Sequence, residues 1–137
     1  MRRDEPLDQP LGAASPSRGV IVVLLVDDEL LIREVATALL EEAGYVVVAA
    51  DGPKAALREL ETGQRIDLMF TDVHMPGGVN GLQLASLVRE RWPSIGLLVT
   101  SGRPPRSLDA LPAGGRFVCK PYTAAEVQRH LDELTSA

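Results

Sequence analysis

A run of seven apolar residues, VIVVLLV at positions 20–26, leads directly into Asp27 and Asp28. Short runs rich in β-branched residues are typical of strands buried on both faces of a parallel sheet. Two later runs end in polar residues in the same way. They are IDLMFT (residues 66–71), which leads into Asp72, and FVC (residues 117–119), which leads into Lys120 and Pro121.

The residues that follow these runs predict a common site. In an open parallel sheet the carboxyl ends of the strands meet at one edge, and that edge carries the active crevice. We therefore expect Asp27, Asp28, Asp72 and Lys120 to lie close together. Clustered carboxylates repel one another, and a divalent metal and a fixed ammonium can neutralise them. The arrangement predicts a Mg²⁺ site beside an aspartate that receives a phosphoryl group.

The composition excludes several classes of protein. The length of 137 residues supports one domain with a substantial core. A net charge of -5 argues against a general nucleic-acid binder, which needs a basic face. No apolar run is long enough to cross a membrane, and no signal peptide is recognisable, so the predicted location is the cytoplasm. The single cysteine, Cys119, cannot form an intrachain disulfide, and we interpret it as a small core residue.

The order of apolar runs and turn residues predicts the fold class. Residues 1–19 have no apolar period and are interpreted as a flexible leader, which precedes a single domain of residues 20–137. Strands are predicted at residues 20–26, 45–50, 66–71, 95–100 and 116–119. Helices are predicted between them, but the proline-rich residues 101–115 leave room for only a short fourth helix around residues 106–111. This alternation predicts an α/β fold with a doubly wound, five-stranded parallel sheet.

Two helices have distinctive patterns. The first is expected to begin at Asp28 or Glu29 and to present an apolar side to the sheet. That side consists of Leu31, Val35, Leu39 and Leu40. The last is expected to follow Thr123, with Glu126 at the spacing of a capping box.

Four motifs, in order and each at a strand end, resemble one known family. They are VVLLVDDE, DLMFTDVHMPGGVNG, LLVTSG and FVCKPY. Together they resemble the response-regulator receiver domain of two-component signalling, from about residue 20 to residue 134. The resemblance implies a flavodoxin-like sheet with strand order 2-1-3-4-5.

The resemblance also implies roles for the acidic residues. Asp72 matches the phosphoacceptor, although an aspartate here could also cap the following turn. Asp27 and Asp28 match the acidic pair that holds Mg²⁺, Asp28 directly and Asp27 through water, and the backbone carbonyl of His74 is the expected further ligand. The alternative for the pair is capping of the first helix, a role that Glu29 could share.

Other matching positions concern the transferred group. Lys120 matches a lysine that lowers the charge of the phosphoryl group, and the family has a cis bond to the following proline. Ser101 matches the hydroxyl that binds a phosphoryl oxygen, with Thr100 as the rival candidate. Phe117 matches an aromatic residue that changes rotamer on phosphorylation, although a core role would explain it equally well.

Two segments depart from the common pattern of the family. The loop after Asp72 is one residue longer, at residues 77–80, and residues 101–120 are a few residues short. The second departure lies in the region where receivers usually bind partners. The side chain of His74 is interpreted as a loop residue beside the site, because the only other histidine, His130, lies in the last helix.

We therefore expect a single-domain response regulator that is not an enzyme beyond self-phosphorylation and slow autodephosphorylation. Its phosphodonor would be a histidine kinase or a histidine phosphotransfer protein, and its output an unknown downstream protein, with no nucleic acid and no membrane. Because the sequence ends three residues after Leu134, we expect no output domain after the last helix.

Several alternatives stay open or are disfavoured. The chain could be a receiver excised from a hybrid histidine kinase. An aspartyl-nucleophile phosphatase of the haloacid-dehalogenase type needs a second aspartate where this chain has His74. A flavodoxin-like binding module needs a phosphate-binding loop after the first strand, where this chain has acidic residues instead. A P-loop nucleoside triphosphatase needs a Gly-rich motif that this sequence does not contain. A degenerate receiver used only as a scaffold is disfavoured because all the expected site residues are present.

Overall fold

The computed structural model describes residues 19–76, 78–103 and 110–136. Nine elements follow one another in these residues. They are β1 (Val22–Val26), α1 (Leu30–Glu42), β2 (Val46–Ala50), α2 (Pro53–Glu61), β3 (Leu68–Asp72), α3 (Gly81–Arg91), β4 (Gly96–Ser101), β5 (Arg116–Cys119) and α4 (Ala124–Thr135). In the described part of the chain, no helix has the length and apolar character needed to cross a membrane.

The five strands form one parallel sheet in the order β2-β1-β3-β4-β5, which confirms the predicted fold class and strand order. The register places the carboxyl ends of neighbouring strands side by side. Val26 pairs with Thr71, and Asp72 pairs with Thr100. The polar residues that follow β1, β3 and β5 therefore reach the same edge of the sheet.

Two apolar layers cover the sheet, one on each face. Alternation along the strands sends Met69 to one layer and Phe70 to the other. On the first face, α2 contributes Ala56 and Leu60 and α3 contributes Leu84, Ala85 and Val88. On the second face, α1 contributes Ala36 and Leu40 and α4 contributes Val127 and Leu131. All five residues of β3 are buried, because the strand lies at the centre of the sheet between both layers.

Three sequence predictions about the core need correction or refinement. Leu31 and Val35 were expected on the buried side of α1, but they are 75% and 67% exposed. The helix instead turns the stripe of Ala36 and Leu40 to the sheet, and small Ala36 allows close packing. The third strand starts at Leu68 rather than at residue 66, and Asp67 just before it is joined to Val22 twice: its side chain accepts from the Val22 N–H at 2.8 Å, and its own N–H donates to the Val22 carbonyl at 2.9 Å.

Cys119 is exposed, so the prediction of a core residue is wrong. It is the last residue of the edge strand β5, and Val118 beside it points into the layer of α1 and α4. Cys119 faces the opposite side of the sheet, where its side chain is exposed at the end of β5. The predicted short helix at residues 106–111 and the leader at residues 1–19 lie largely outside the described residues.

The predicted capping box of the last helix is confirmed. The Thr123 hydroxyl accepts from the Glu126 N–H, and the Glu126 carboxylate accepts from the Thr123 N–H. Glu29 is the N-cap of α1, but its side chain makes no capping hydrogen bond.

Candidate functional site

Three carboxylates meet at the carboxyl edge of the sheet, as the sequence predicts. Carboxylate oxygens of Asp27, Asp28 and Asp72 all lie within 4.8 Å of one another. Asp27 and Asp72 are buried, with 4% and 6% of their surface exposed, whereas Asp28 is exposed. The cluster therefore has a buried floor and an open side that solvent or a ligand can reach.

The loop after β1 orients Asp27. Its carboxylate accepts a hydrogen bond from the Glu29 N–H at 2.9 Å, and its own N–H donates to the Ala50 carbonyl at 3.1 Å. The Arg33 guanidinium donates to the Asp27 carbonyl oxygen at 2.9 Å from the first turns of α1. These contacts hold Asp27 at the end of its strand, and the alternative role of capping the first helix is not observed, because α1 has no side-chain capping hydrogen bond.

Two opposed donors orient Asp72. Its Oδ1 accepts from the His74 N–H at 3.2 Å, and its Oδ2 accepts from Lys120 Nζ at 2.9 Å. The Lys120–Pro121 peptide bond is cis, as the resemblance implied. The hydrogen bond to Asp72 shows that Lys120 reaches from the end of β5 across β4 to the end of β3.

The electrostatics of the site show an excess of negative charge. Burial raises the pKa of Asp27 above its usual value, the Glu29 N–H opposes this effect, and the nearby Asp72 charge adds to it. Burial acts to lower the pKa of Lys120, but its hydrogen bond and charge interaction with Asp72 outweigh this, so the pKa is raised and the ammonium stays charged. Three carboxylates thus face one ammonium.

This donor set fits Mg²⁺, which prefers oxygen ligands and is commonly held by one or two carboxylates. The observation that supports the fit is the mutual approach of three carboxylate groups, two of them buried, which a divalent cation would neutralise. Asp27, Asp28 and Asp72 are the residues that would hold the ion. The backbone carbonyl of His74 stays a predicted further ligand.

Two hydroxyls lie beside the carboxylates at the end of β4. Thr100 pairs in register with Asp72, so both side chains lie on the same face of the sheet. Its hydroxyl is buried and has no hydrogen-bond partner within the described part of the chain. The Ser101 hydroxyl is also buried, and it accepts from the Arg103 N–H at 3.1 Å. The geometry therefore keeps both residues as candidates.

The remaining predicted positions are distributed around the site. Phe117 is half-buried and packs on the layer of α2 and α3, on the face that also receives Val99. His74 is exposed in the loop. His130 lies at the opposite end of β5 from Lys120, where its Nδ1 accepts from Arg116 Nε at 3.0 Å, so the two histidines form no common site.

Two neighbours of the site were not predicted from the sequence. Tyr122 stacks edge-on against Phe70 at a centroid distance of 5.6 Å, and burial, with the Asp27 and Asp72 charges, raises its pKa despite the Lys120 charge. Gly81 lies against the Asp72 backbone. The position of Tyr122, just after Lys120 and Pro121, could have indicated that it lies near the site. The sequence around Gly81 indicated only the start of a helix.

Comparisons with known proteins show which family this chain is similar to. The response regulator receiver domain family matches residues 23–132. The response regulator protein FleR of Pseudomonas aeruginosa is 35% identical over 105 residues, which cover 74% of this chain and 22% of FleR. The CAI-1 autoinducer sensor kinase/phosphatase CqsS of Vibrio cholerae is 36% identical over 107 residues, which cover 72% of this chain and 15% of CqsS. The chain thus spans about a fifth of the length of such relatives, two from Arabidopsis thaliana included.

Solved structures show the same fold. A response regulator receiver protein from Sinorhizobium medicae aligns with a TM-score of 0.80 and 26% identity, over 87% of this chain and 97% of that chain. The response regulator TrrA of Thermotoga maritima, in complex with Mg²⁺ and BeF, aligns with a TM-score of 0.73 and 26% identity, over 84% of this chain and 99% of that chain. From the family match, the strand order and the similarity to these proteins, the chain belongs to the response regulator receiver domain family of two-component signalling.

Proposed function

We propose that Asp72 accepts a phosphoryl group from a phosphohistidine of a histidine kinase or a histidine phosphotransfer protein. The observation that carries this proposal is the buried Asp72 carboxylate, held 2.9 Å from the Lys120 ammonium and within 4.8 Å of two further carboxylates. A carboxylate oriented in this way is a suitable nucleophile for covalent transfer.

In the proposed transfer, a carboxylate oxygen of Asp72 attacks the phosphorus atom and forms a P–O bond. The P–N bond of the phosphohistidine breaks, and its electron pair returns to the imidazole. The ring leaves as neutral imidazole when its other nitrogen carries a proton. Slow autodephosphorylation follows when water attacks the phosphorus atom, which releases inorganic phosphate and regenerates the Asp72 carboxylate.

Each neighbour of Asp72 has a proposed part in this step. The Lys120 ammonium balances negative charge on the phosphoryl oxygens. Mg²⁺, when held by Asp27, Asp28, Asp72 and the His74 carbonyl, supplies positive charge that offsets both the carboxylates and the incoming group. The burial of Asp27 and Asp72 keeps water from one side of the site.

The signal is proposed to leave the site through β4 and β5. Ser101 binds a phosphoryl oxygen, gives up its bond to the Arg103 N–H, and carries the following segment with it. Ser101 and Phe117 lie on the same face of adjacent strands, so the movement can reach Phe117 and a surface that binds a downstream protein. Thr100 is the alternative for this hydroxyl, because it is buried without a described partner.

A second candidate concerns the protein that carries this domain. The similarity to the sensor kinase CqsS favours a receiver that forms part of a hybrid histidine kinase, in which Asp72 would perform the same transfer. A phosphatase with an aspartyl nucleophile is less well supported, because the residue two positions after Asp72 is the exposed His74 rather than an acid. We place the domain in the cytoplasm with its phosphodonor.

Incubation with acetyl phosphate, with and without Mg²⁺, tests the proposal. Intact-mass spectrometry should show the gain of one phosphate in the presence of Mg²⁺, and no gain for Asp72→Asn. Asp51→Asn is the matched control, because Asp51 follows the neighbouring strand β2 at the same edge but lies outside the carboxylate cluster. Equal labelling of Asp72→Asn and the unmodified chain would overturn the assignment.

A further inference from the structure

Gly81, the first residue of α3, packs directly against the backbone of the proposed phosphoacceptor. A Cβ atom built on Gly81 would lie 2.0 Å from the carbonyl oxygen of Asp72, 2.8 Å from its carbonyl carbon and 2.9 Å from the Cα atom of Val73. Contacts below 3.0 Å are essentially never tolerated by a Cβ atom. The atoms in contact belong to the main chain, so no change of side-chain rotamer could relieve the clash.

Hydrogen bonds fasten the start of α3 to the same place. The Gly81 N–H donates to the Val73 carbonyl at 2.8 Å, which closes the loop that begins at Asp72. Asn80 caps the helix, since its side chain accepts from the Gln83 N–H at 2.9 Å and its N–H donates to the Gln83 side chain at 2.8 Å. The end of β3 and the start of α3 therefore form one fixed unit.

This unit sets the position of the groups around the Asp72 carboxylate. Val73 is followed by His74, whose N–H donates to Asp72 Oδ1. A displacement of Val73 would move that donor, the His74 carbonyl proposed as a metal ligand, and the Asp72 main chain together. Val73 itself is buried in the layer of α2 and α3, which limits other adjustments.

We infer that Gly81 is a positioning residue for the phosphorylation of Asp72: only a residue without a side chain lets α3 dock on the Asp72 carbonyl and hold the loop in place. The inference rests on the proposed function of Asp72. Any side chain at this position would force a main-chain shift of about 1 Å, and misplacement on that scale can reduce a reaction rate by about a hundredfold.

Gly96 offers a matched control at the other end of the sheet. A Cβ atom there would lie 2.6 Å from Leu68 Cδ2 and 3.3 Å from Leu134 Cβ, so it also clashes inside a packed region. Gly96 is the first residue of β4, remote from the carboxyl edge, and its nearest contact is the end of a side chain. Gly96→Ala should therefore reduce stability without displacing Asp72.

The experiment compares Gly81→Ala and Gly96→Ala with the unmodified chain. Three quantities are measured: the melting temperature, the affinity for Mg²⁺ by calorimetry, and the rate of labelling by acetyl phosphate per folded molecule. Gly81→Ala should label about tenfold or more slowly and bind Mg²⁺ more weakly. Gly96→Ala should keep both values within about twofold while its melting temperature falls. A Gly81→Ala variant with unmodified labelling and Mg²⁺ affinity, or equal losses in both variants, would overturn the inference.

Asn80→Ala provides a milder variant if Gly81→Ala does not fold. It removes the helix cap without introducing a clash, so it loosens the same unit. Its labelling rate and Mg²⁺ affinity should fall by about twofold or more, and unchanged values would overturn the inference. Failure of the proposed function has a different signature, because the unmodified chain would then not be labelled at Asp72 at all.

Discussion

The two edges of the sheet carry similar numbers of charged groups but use them differently. At the carboxyl edge, three carboxylates face one ammonium. At the amino edge, a cavity of about 650 Å³ is lined by charged residues that have partners. Arg65 pairs with Asp67 at 3.1 Å, Arg116 pairs with Glu133, and Arg89 donates to three backbone carbonyls.

We interpret this difference as a contrast between the proposed phosphorylation site at the carboxyl edge and a charge network at the amino edge that stabilises the fold. Matched charges at the amino edge satisfy hydrogen bonds and connect the ends of strands and helices. Unmatched carboxylates at the carboxyl edge are expected to reduce the stability of the metal-free protein, and in the proposed function they bind a cation beside the phosphoacceptor. The following substitutions test this contrast by changing one residue at each edge.

The largest expected effect is on the labelling rate, and it is tested by comparing the cations at the two ends of β5. Lys120→Met should reduce the rate of labelling by acetyl phosphate about a hundredfold, because the ammonium beside Asp72 is lost. Arg116→Met removes a cation from the other end of the same strand and should leave the rate within about twofold. A similar loss in both variants would show that the position of the cation does not matter.

The next effect concerns Arg89, whose guanidinium joins the end of α3 to the carbonyls of Ala113, Pro93 and Ile95 at 2.8 to 3.0 Å. Arg89→Met should lower the free energy of unfolding by about 2 kcal/mol in urea titrations, since three charge-assisted hydrogen bonds are lost at a half-buried site. Arg91→Met is the control: its ion pair with Glu61 is exposed, and we expect a loss of about 0.5 kcal/mol. Equal losses would contradict the structural role of Arg89.

In a third comparison, removing one carboxylate charge should have opposite effects on the free energy of unfolding at the two edges. Asp27→Asn should raise the free energy of unfolding of the metal-free protein by about 1 kcal/mol at neutral pH, because a buried charge near Asp72 is removed. The amide oxygen can still accept from the Glu29 N–H. Asp67→Asn should instead reduce stability, since Arg65 loses its charged partner. Thermal unfolding with and without Mg²⁺ measures both, and the stabilisation by Mg²⁺ should shrink only in Asp27→Asn.

The smallest effect is a pH dependence at the amino edge. Burial, followed by the charges of Arg129 and Arg116, lowers the pKa of His130 in spite of Glu133 and Glu126. A lowered folded-state pKa gives stability that is present above the unfolded value of about 6.5 and is lost as the pH falls through the folded value.

His130→Gln should therefore remove part of the stability loss between pH 7 and pH 5. The partly exposed ring is screened by solvent, so we expect a difference of about 0.5 kcal/mol or less between the variant and the unmodified chain. Urea titrations at both pH values measure it. If the variant and the unmodified chain differed in free energy of unfolding by the same amount at pH 7 and pH 5, protonation of His130 would not contribute to the loss of stability.

Much of the fold and the centre of the site could be predicted because they depend on local patterns. Apolar runs that end in Asp27, Asp72 and Lys120 specify buried parallel strands, and the parallel arrangement brings the strand ends to one edge. Predicting which side of a helix is buried was less successful, because that depends on how the helix packs against the sheet. Leu31 and Val35 have the right spacing for a buried side, yet α1 packs through Ala36 and Leu40.

By itself, the sequence determined which residues are apolar, which turns interrupt them and which polar groups follow each strand. The parallel arrangement of the strands and the meeting of Asp72 with Lys120 follow from these features, because the carboxyl ends of parallel strands lie at one edge of the sheet, whereas the strand order was implied by the resemblance to receiver domains. Only the tertiary structure decided that Cys119 is exposed, that Thr100 has a buried hydroxyl without a described partner, and that Gly81 touches the Asp72 carbonyl. Each of these depends on contacts between segments distant in sequence or on a few tenths of an ångström in packing, and neither is encoded in residue spacing.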